Sequence, residues 1–343
     1  MFHRPTLRDV AKASGYHFTT VGLALRGDPR ILPTTAAAIR ASAQKLGYIP
    51  DSLLSALSAY RHTQRPRVVG AIGYLHTFEL PRDYQTDVRA RLLFDSAAAR
   101  ARALGFKLEA ISIRNTGLTG KRLTGILKAR GIHGLILPPL FPRPDHFMEL
   151  DWSQFATVAV GYSILTPKTH RTAFNQAANM KLALRELRRL GYQRIGLQLY
   201  PEIDMRTNSH PLGAYLADQL RLTEPERLPP LFTAELTPQT LRRWIEEHRP
   251  DCILTASPEL LGMIQSLGLE VPGDIGLALL SRSSAQSPVA GVDEQAGLLG
   301  SSAVDFTVSL LQTSQHGLPP FPRIVLVEGL WVWAPTLRTG LPS

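Results

Sequence analysis

Ten basic side chains crowd the first 67 residues: Arg4, Arg8, Lys12, Arg26, Arg30, Arg40, Lys45, Arg61, Arg65 and Arg67. Only Asp9, Asp28 and Asp51 oppose them. This segment therefore carries +7 of the chain's formal +10, and about +3 is left for the far longer remainder. Guanidinium and ammonium groups gathered in this way attract a polyanion and displace its counterions. Charge alone fits a generically basic protein equally well. Catalytic chemistry has little to build on. The chain has no Gly-x-Ser-x-Gly elbow, no Gly-x-x-x-x-Gly-Lys-Ser/Thr loop and no His-Glu-x-x-His pair. Its single cysteine, Cys252, can form no internal disulfide, and its histidines are scattered, so neither a metal site nor a cofactor is expected.

The elements that must position the basic groups are short helices. Thr6-Leu7-Arg8-Asp9 reads as a capping box, in which a hydroxyl and a carboxylate three residues apart satisfy orphan amides at a helix start. Leu7, Val10, Ala11 and Ala13 follow at helical spacing. Gly15 suits the left-handed turn that ends such a helix. A second helix is expected over 18–25, with Val21 and Leu25 inward, broken by Gly27-Asp28-Pro29. A third should run from Pro33-Thr34 to Leu46, with Gly47 as its cap. Thr6, Gly15, Val21 and Leu25 have the spacing of a helix-turn-helix, in which one helix braces another whose start enters the major groove of DNA.

From residue 68 the rhythm changes. Strands are expected at 68–75, 107–113, 134–140, 156–162, 194–200, 231–234, 252–256 and 275–280. Helices are expected between them at 83–104, 118–130, 177–190, 205–221, 236–248 and 258–267. Such alternation implies parallel sheets with covered faces, an α/β fold. The junctions Leu104-Gly105-Phe106 and Leu190-Gly191-Tyr192 resemble each other, which suggests two similar lobes. The 343 residues, 44% hydrophobic, suffice for two or three domains. No apolar run approaches the roughly 20 residues of a membrane helix. The N-terminus lacks a signal-peptide core, and cysteine is nearly absent, so a cytoplasmic protein is expected.

The stretch Thr6-Leu7-Arg8-Asp9-Val10-Ala11-Lys12-Ala13-Ser14-Gly15, then Thr20-Val21, Leu25-Arg26-Gly27 and Lys45-Leu46-Gly47-Tyr48-Ile49-Pro50, resembles the LacI/GalR family of transcriptional regulators. Leu190-Gly191-Tyr192-Gln193-Arg194-Ile195 and Val271-Pro272-Gly273-Asp274-Ile275 extend the likeness more weakly over the body. The resemblance implies a DNA-binding repressor, homodimeric on a near-palindromic operator. It also implies a periplasmic-binding-protein-like body closing on a small effector such as a sugar. The implied layout is a head over 1–60 with a hinge helix at about 51–58, a linker at 61–67 and a body over 68–343. The N-lobe would comprise about 68–164 and 287–320, the C-lobe about 165–286 and 321–343.

The resemblance also implies DNA contacts. These fall on Thr6, His17, Phe18, Thr19, Thr20, Leu23 and Arg26, with Leu57 as a minor-groove wedge. Phe18 has an alternative as an aromatic closing the head's small core. Gly22-Leu23 departs from the family's usual Ser-Arg, so a guanine-reading arginine is missing. His17 replaces a serine cap, which should weaken that helix start by about 1 kcal/mol. In a two-lobed α/β body, ligands bind beyond the carboxyl ends of the strands. Those ends bring forward Phe78, Tyr162, Ser257 and Ser281 as candidate effector contacts. Arg206, Asn208 and His210 join them, at the start of a helix that supplies polar ligand contacts in the family. Tyr162 and Ser281 lie where the family commonly has a carboxylate. The rival readings are a solute-binding protein without DNA-linked regulation and, more remotely, an enzyme.

Overall fold

The computed structural model describes residues 5–25, 31–46, 70–77, 87–113, 119–139, 149–282 and 287–339. The chain forms two compact units, Met1–Arg67 and Val68–Ser343.

The first unit is a three-helix head: α1 (Leu7–Ser14), α2 (Phe18–Leu25) and α3 (Pro33–Lys45). The capping box forms as its residues demand. Thr6 N–H donates to Asp9 Oδ2 at 2.7 Å, and Asp9 N–H donates back to Thr6 Oγ1 at 3.4 Å. Gly15 takes φ +73°, and its N–H closes α1 on the Ala11 carbonyl at 3.1 Å. Val10, Val21, Ala24, Ala36, Ile39 and Ala43 make the small core, with Leu7, Ala11, Leu25 and Ile31 at its margin. Ala13, expected in the apolar stripe, is exposed. The expected cap Gly47, the hinge at 51–58 and the linker at 61–67 lie outside the described residues.

The second unit is α/β with two six-stranded sheets. The first sheet is built from β1 (Gly70–His76), β2 (Phe106–Ser112), β3 (Ile132–Leu137), β4 (Ala156–Val160), β5 (His170–Phe174) and β11 (Ile324–Val327). Its order is β11-β5-β4-β3-β1-β2, and every pairing is parallel. Helices α4 (Val88–Ala103) and α11 (Ala296–Gln312) cover one face, and α5 (Gly120–Ala129) covers the other. The second sheet comprises β6 (Ile195–Leu199), β7 (Leu231–Phe232), β8 (Cys252–Thr255), β9 (Gly276–Arg282), β10 (Ala290–Asp293) and β12 (Leu330–Val332), in the order β12-β10-β9-β8-β6-β7. Here β12 is antiparallel to β10. On one face pack α6 (Gln176–Arg189) and α8 (His210–Gln219), and on the other α9 (Pro238–His248) and α10 (Leu260–Ser266). Each fully buried Leu, Ile or Val in these cores is worth about 1.5–3 kcal/mol.

The chain passes between the lobes three times, at Asn175, at Glu294-Gln295 and at Glu328-Gly329. These crossings bond to one another. Asn175 N–H donates to the Val327 carbonyl at 2.8 Å, and Gly329 N–H donates to Asn179 Oδ1 at 2.8 Å. The lobe borders read from sequence need correcting. Residues 170–174 belong to the first sheet, 290–293 to the second and 324–327 to the first. At the first border the cause is β5, whose His170 and Arg171 disguise a strand. Both are buried. Arg171 is satisfied by the Gly161 and Ile164 carbonyls at 2.7 and 3.1 Å, and His170 Nδ1 accepts from Arg323 N–H at 3.0 Å. A second correction concerns the helix expected over 205–221. It is two helices, α7 (Pro201–Arg206) and α8, because Asn208 and Ser209 take left-handed φ of 56° and 55°.

Candidate functional site

In the head, the apolar spacing of α2 turns Val21 and Ala24 into the core and leaves its N-terminal end outward. His17, Phe18 and Thr19 are exposed, and Thr20 and Leu23 are half-buried. Phe18 is 47% exposed, so it does not close the core and its ring is presented to solvent. The helix start is better held than a missing serine implies. His17 Nδ1 accepts from Thr19 N–H at 3.4 Å and lies 2.6 Å from Thr19 Oγ1. The imidazole thus does the capping work of a hydroxyl. An Nδ1 that accepts leaves the ring proton on Nε2, a donor. Thr6 spends its hydroxyl on Asp9 Oδ2, at 2.7 Å. Arg26 and Leu57 lie outside the described residues.

In the body, a cavity of about 690 Å³ opens where the carboxyl ends of both sheets' strands converge. Three of the sequence candidates line it: Tyr162, Arg206 and Ser281. Tyr162 follows β4, is nearly buried, and packs edge-on against His210 with ring centroids 4.8 Å apart. The Arg171 guanidinium sits 5.2 Å from its ring centre. Burial pushes the Tyr162 hydroxyl above its ordinary range, and the Arg171 charge only partly offsets this, so the phenol remains a donor. Burial likewise lowers Arg171, partly offset by its neighbour Tyr162. Arg206 ends α7 and does not begin a helix.

The other described candidates do not line the cavity. His210 begins α8 and backs Tyr162, while Asn208 Nδ2 lies 3.3 Å from His210 Nε2. Ser257 donates its hydroxyl to Glu259 Oε2 at 2.6 Å, a local bond at the start of α10. Phe78 lies outside the described residues.

Sequence reasoning missed the most polar part of the cavity. Arg89, in the first turn of α4, donates to Ser281 Oγ and pairs with Glu294 Oε2 at 3.3 Å. Ser281 also donates to Glu294 Oε2, and Gln176 Nε2 donates to Oε1 at 2.6 Å. Glu294 is only 2% exposed. This carboxylate on the second crossing therefore ties α4 of the first lobe to β9 of the second. Arg89 was invisible to a search of strand ends because it comes from a helix start. Gln176 was invisible because it follows the unrecognised β5. Among the described residues, no cluster of three or more His, Cys, Asp or Glu side chains is arranged to hold a metal ion. No described helix is long and apolar enough to cross a membrane.

No protein-family model matches the chain, and no curated protein matches its sequence. Solved structures do match. The complex of the transcriptional regulator CelR with cellobiose has a TM-score of 0.59 at 18% identity, covering 97% of this chain and all of that one. The lac repressor dimer bound to operator and the anti-inducer ONPF has a TM-score of 0.57 at 19% identity, covering 98% of this chain and all of that one. A LacI-family regulatory protein from Chloroflexus aggregans has a TM-score of 0.58 at 16% identity, covering 78% of this chain and 98% of that one. The chain has the fold of LacI-family transcriptional regulators, along its whole described length.

Proposed function

We propose that this chain is a LacI-family, sequence-specific DNA-binding repressor, controlled by a small effector held between the lobes of its body. One observation carries the reading. A basic head with an exposed helix start and a two-lobed body with a strand-end cavity occur in one chain, in the order of the operator-bound and sugar-bound regulators it resembles in fold. On this reading His17, Phe18, Thr19, Thr20, Leu23 and Arg26 contact DNA, with Thr6 holding the first helix in place. Leu57 wedges into the minor groove of the bent site. Tyr162, Arg206 and Ser281, joined by Arg89, face the effector, a sugar or related metabolite. The protein acts in the cytoplasm as a homodimer, since paired heads match a two-fold site. The alternative, a solute-binding protein without DNA-linked regulation, leaves the basic three-helix head without a task. An enzyme finds no catalytic constellation to rest on.

Selection from random duplexes followed by footprinting tests the reading. A near-palindromic site is expected, with binding that weakens steeply as salt rises. Recovery of only asymmetric or sequence-independent binding refutes it.

A further inference from the structure

The two edges of the first sheet are finished differently. The β2 edge is charged: Lys107 is exposed, and its Nζ pairs with Glu109 Oε1 at 3.0 Å, with Arg130 Nη1 3.7 Å from Oε2. No large apolar side chain of β2 is exposed. Charges of this kind keep an edge strand from pairing with another chain. The β11 edge instead carries Ile324, Val325 and Leu326 in succession, 41–49% exposed. Phe321, just before them, is 85% exposed, and Leu330 and Trp333 continue the exposed apolar run at the edge of the second sheet. Single apolar residues on a surface are ordinary, but a contiguous run marks an interface.

The backbone decides what fits there. The Arg323 and Val327 carbonyls accept from Arg171 and Asn175 N–H at 3.0 and 2.8 Å, so alternate residues of β11 turn their polar groups toward β5. The N–H and C=O of Ile324 and Leu326 therefore point off the sheet, with no partner among the described residues. Another extended strand satisfies such a row. The chain's own β11 suits it. Laid antiparallel to itself about Val325, the strand sets Ile324 opposite the partner's Leu326, and Leu326 opposite the partner's Ile324, using every outward group. That direction also brings Arg323, at one end, within one position of the partner's Glu328, at the other. Their side chains bond to neutral amides, Gln315 at 2.8 Å and Asn175 at 3.4 Å, so both charges are open to each other. The charged β2 edge is no substitute partner. Pairing therefore closes at two copies and does not grow into a filament.

We propose that β11 is an interface at which a second copy of this chain adds its own β11, antiparallel across a two-fold axis at Val325. This contact forms without DNA and goes beyond the pairing of heads on an operator.

Light scattering of the full-length protein after size-exclusion chromatography, without DNA, tests it. The wild type should have twice the mass of Leu326→Lys, whose exposed position tolerates a charge in one copy but not between two. Cross-linking then reads the geometry. Residues opposed outside the hydrogen-bonded pairs lie about 4.5 Å apart at Cα, within reach of a disulfide. Val325→Cys should therefore link to its own copy on mild oxidation. Lys107→Cys on β2 should not, and the native Cys252 is buried. A monomeric wild type overturns the proposal, as does an unchanged mass in Leu326→Lys. So does a Val325→Cys variant that links no faster than Lys107→Cys, or a mass that climbs without limit as concentration rises. None of these outcomes touches operator selection, so the DNA-binding reading stands or falls separately.

Discussion

The two lobes of the body repeat one strand order but end it in opposite ways. Each sheet runs last-fifth-fourth-third-first-second, yet β11 joins the first sheet parallel and β12 joins the second antiparallel. The difference follows from how the chain arrives. β11 comes after α11, a helix that carries the chain back so that the next strand points the same way as its neighbours. β12 comes directly from β11 across Glu328-Gly329. Strands in both lobes end toward the cavity, so a chain leaving one sheet at a carboxyl end enters the other from that same side, reversed. A helix between strands keeps a sheet parallel; a bare crossing inverts the last strand. Two glycines, one in each lobe, illustrate two kinds of close approach. In the first, Gly300 of α11 lies against the backbone of α4. In the second, Gly276 of β9 lies against the tip of a tyrosine.

The largest expected effect probes that last contrast. A Cβ at Gly300 would sit 2.2 Å from the Leu93 carbonyl oxygen, and backbone cannot step aside. Gly300→Val should cost about 3 kcal/mol by overpacking, measured by urea unfolding of the full chain. A loss near zero would mean that α4 and α11 are not so closely set.

Next comes the tie between the lobes. Glu294→Ala removes the acceptor shared by Gln176, Ser281 and Arg89. Because the Arg89 side chain is 41% exposed, water can reclaim part of its charge. A loss of about 2 kcal/mol is expected, with Glu294→Gln recovering some of it. Equal losses in the two variants would argue for simple packing.

A smaller cost is expected at the yielding site. A Cβ at Gly276 would approach the Tyr192 hydroxyl at 2.5 Å, but a ring can tilt where a carbonyl cannot. Tyr192 also accepts Arg338 N–H at 3.0 Å, so the tilt is not free. Gly276→Ala should therefore cost about 1 kcal/mol. A value matching that of Gly300→Val would erase the distinction between the two glycines.

The smallest effect is a pH dependence confined to the first lobe. Burial, reinforced by the Arg323 charge, holds His170 below the ordinary histidine range. The unfolded chain therefore takes up this proton first as pH falls. The contribution is full above about pH 6.5 and is lost as pH falls from there toward the depressed folded value. The melting temperature should decline from pH 7 to pH 5, and His170→Asn should flatten that decline. A parallel curve for the variant would exclude His170 as the source.

Much was legible from local pattern. The Thr6-Asp9 box, Gly15 and the Val21 spacing predicted the head because capping and turn chemistry act within a few residues. The alternation of apolar runs and helical stretches predicted two parallel-sheet lobes. β5 was not legible, since His170 and Arg171 read as surface residues until carbonyls of the preceding loop and an amide from a distant segment satisfy them. In the cavity, Tyr162 and Ser281 were found by the strand-end rule, while Arg89 was not. That rule has no term for a helix start that reaches across from the other lobe.

The sequence by itself determined the fold class, the three short helices of the head and the side of each sheet on which a ligand would lie. These follow from periodicity, caps and breakers, which are local. Only the tertiary structure decided where the chain changes lobes, which candidates face the cavity and what becomes of Glu294. A carboxylate in a sequence is a charge of unknown use. It becomes a buried tie only when Gln176, Ser281 and Arg89, up to 205 positions away, converge on its two oxygens.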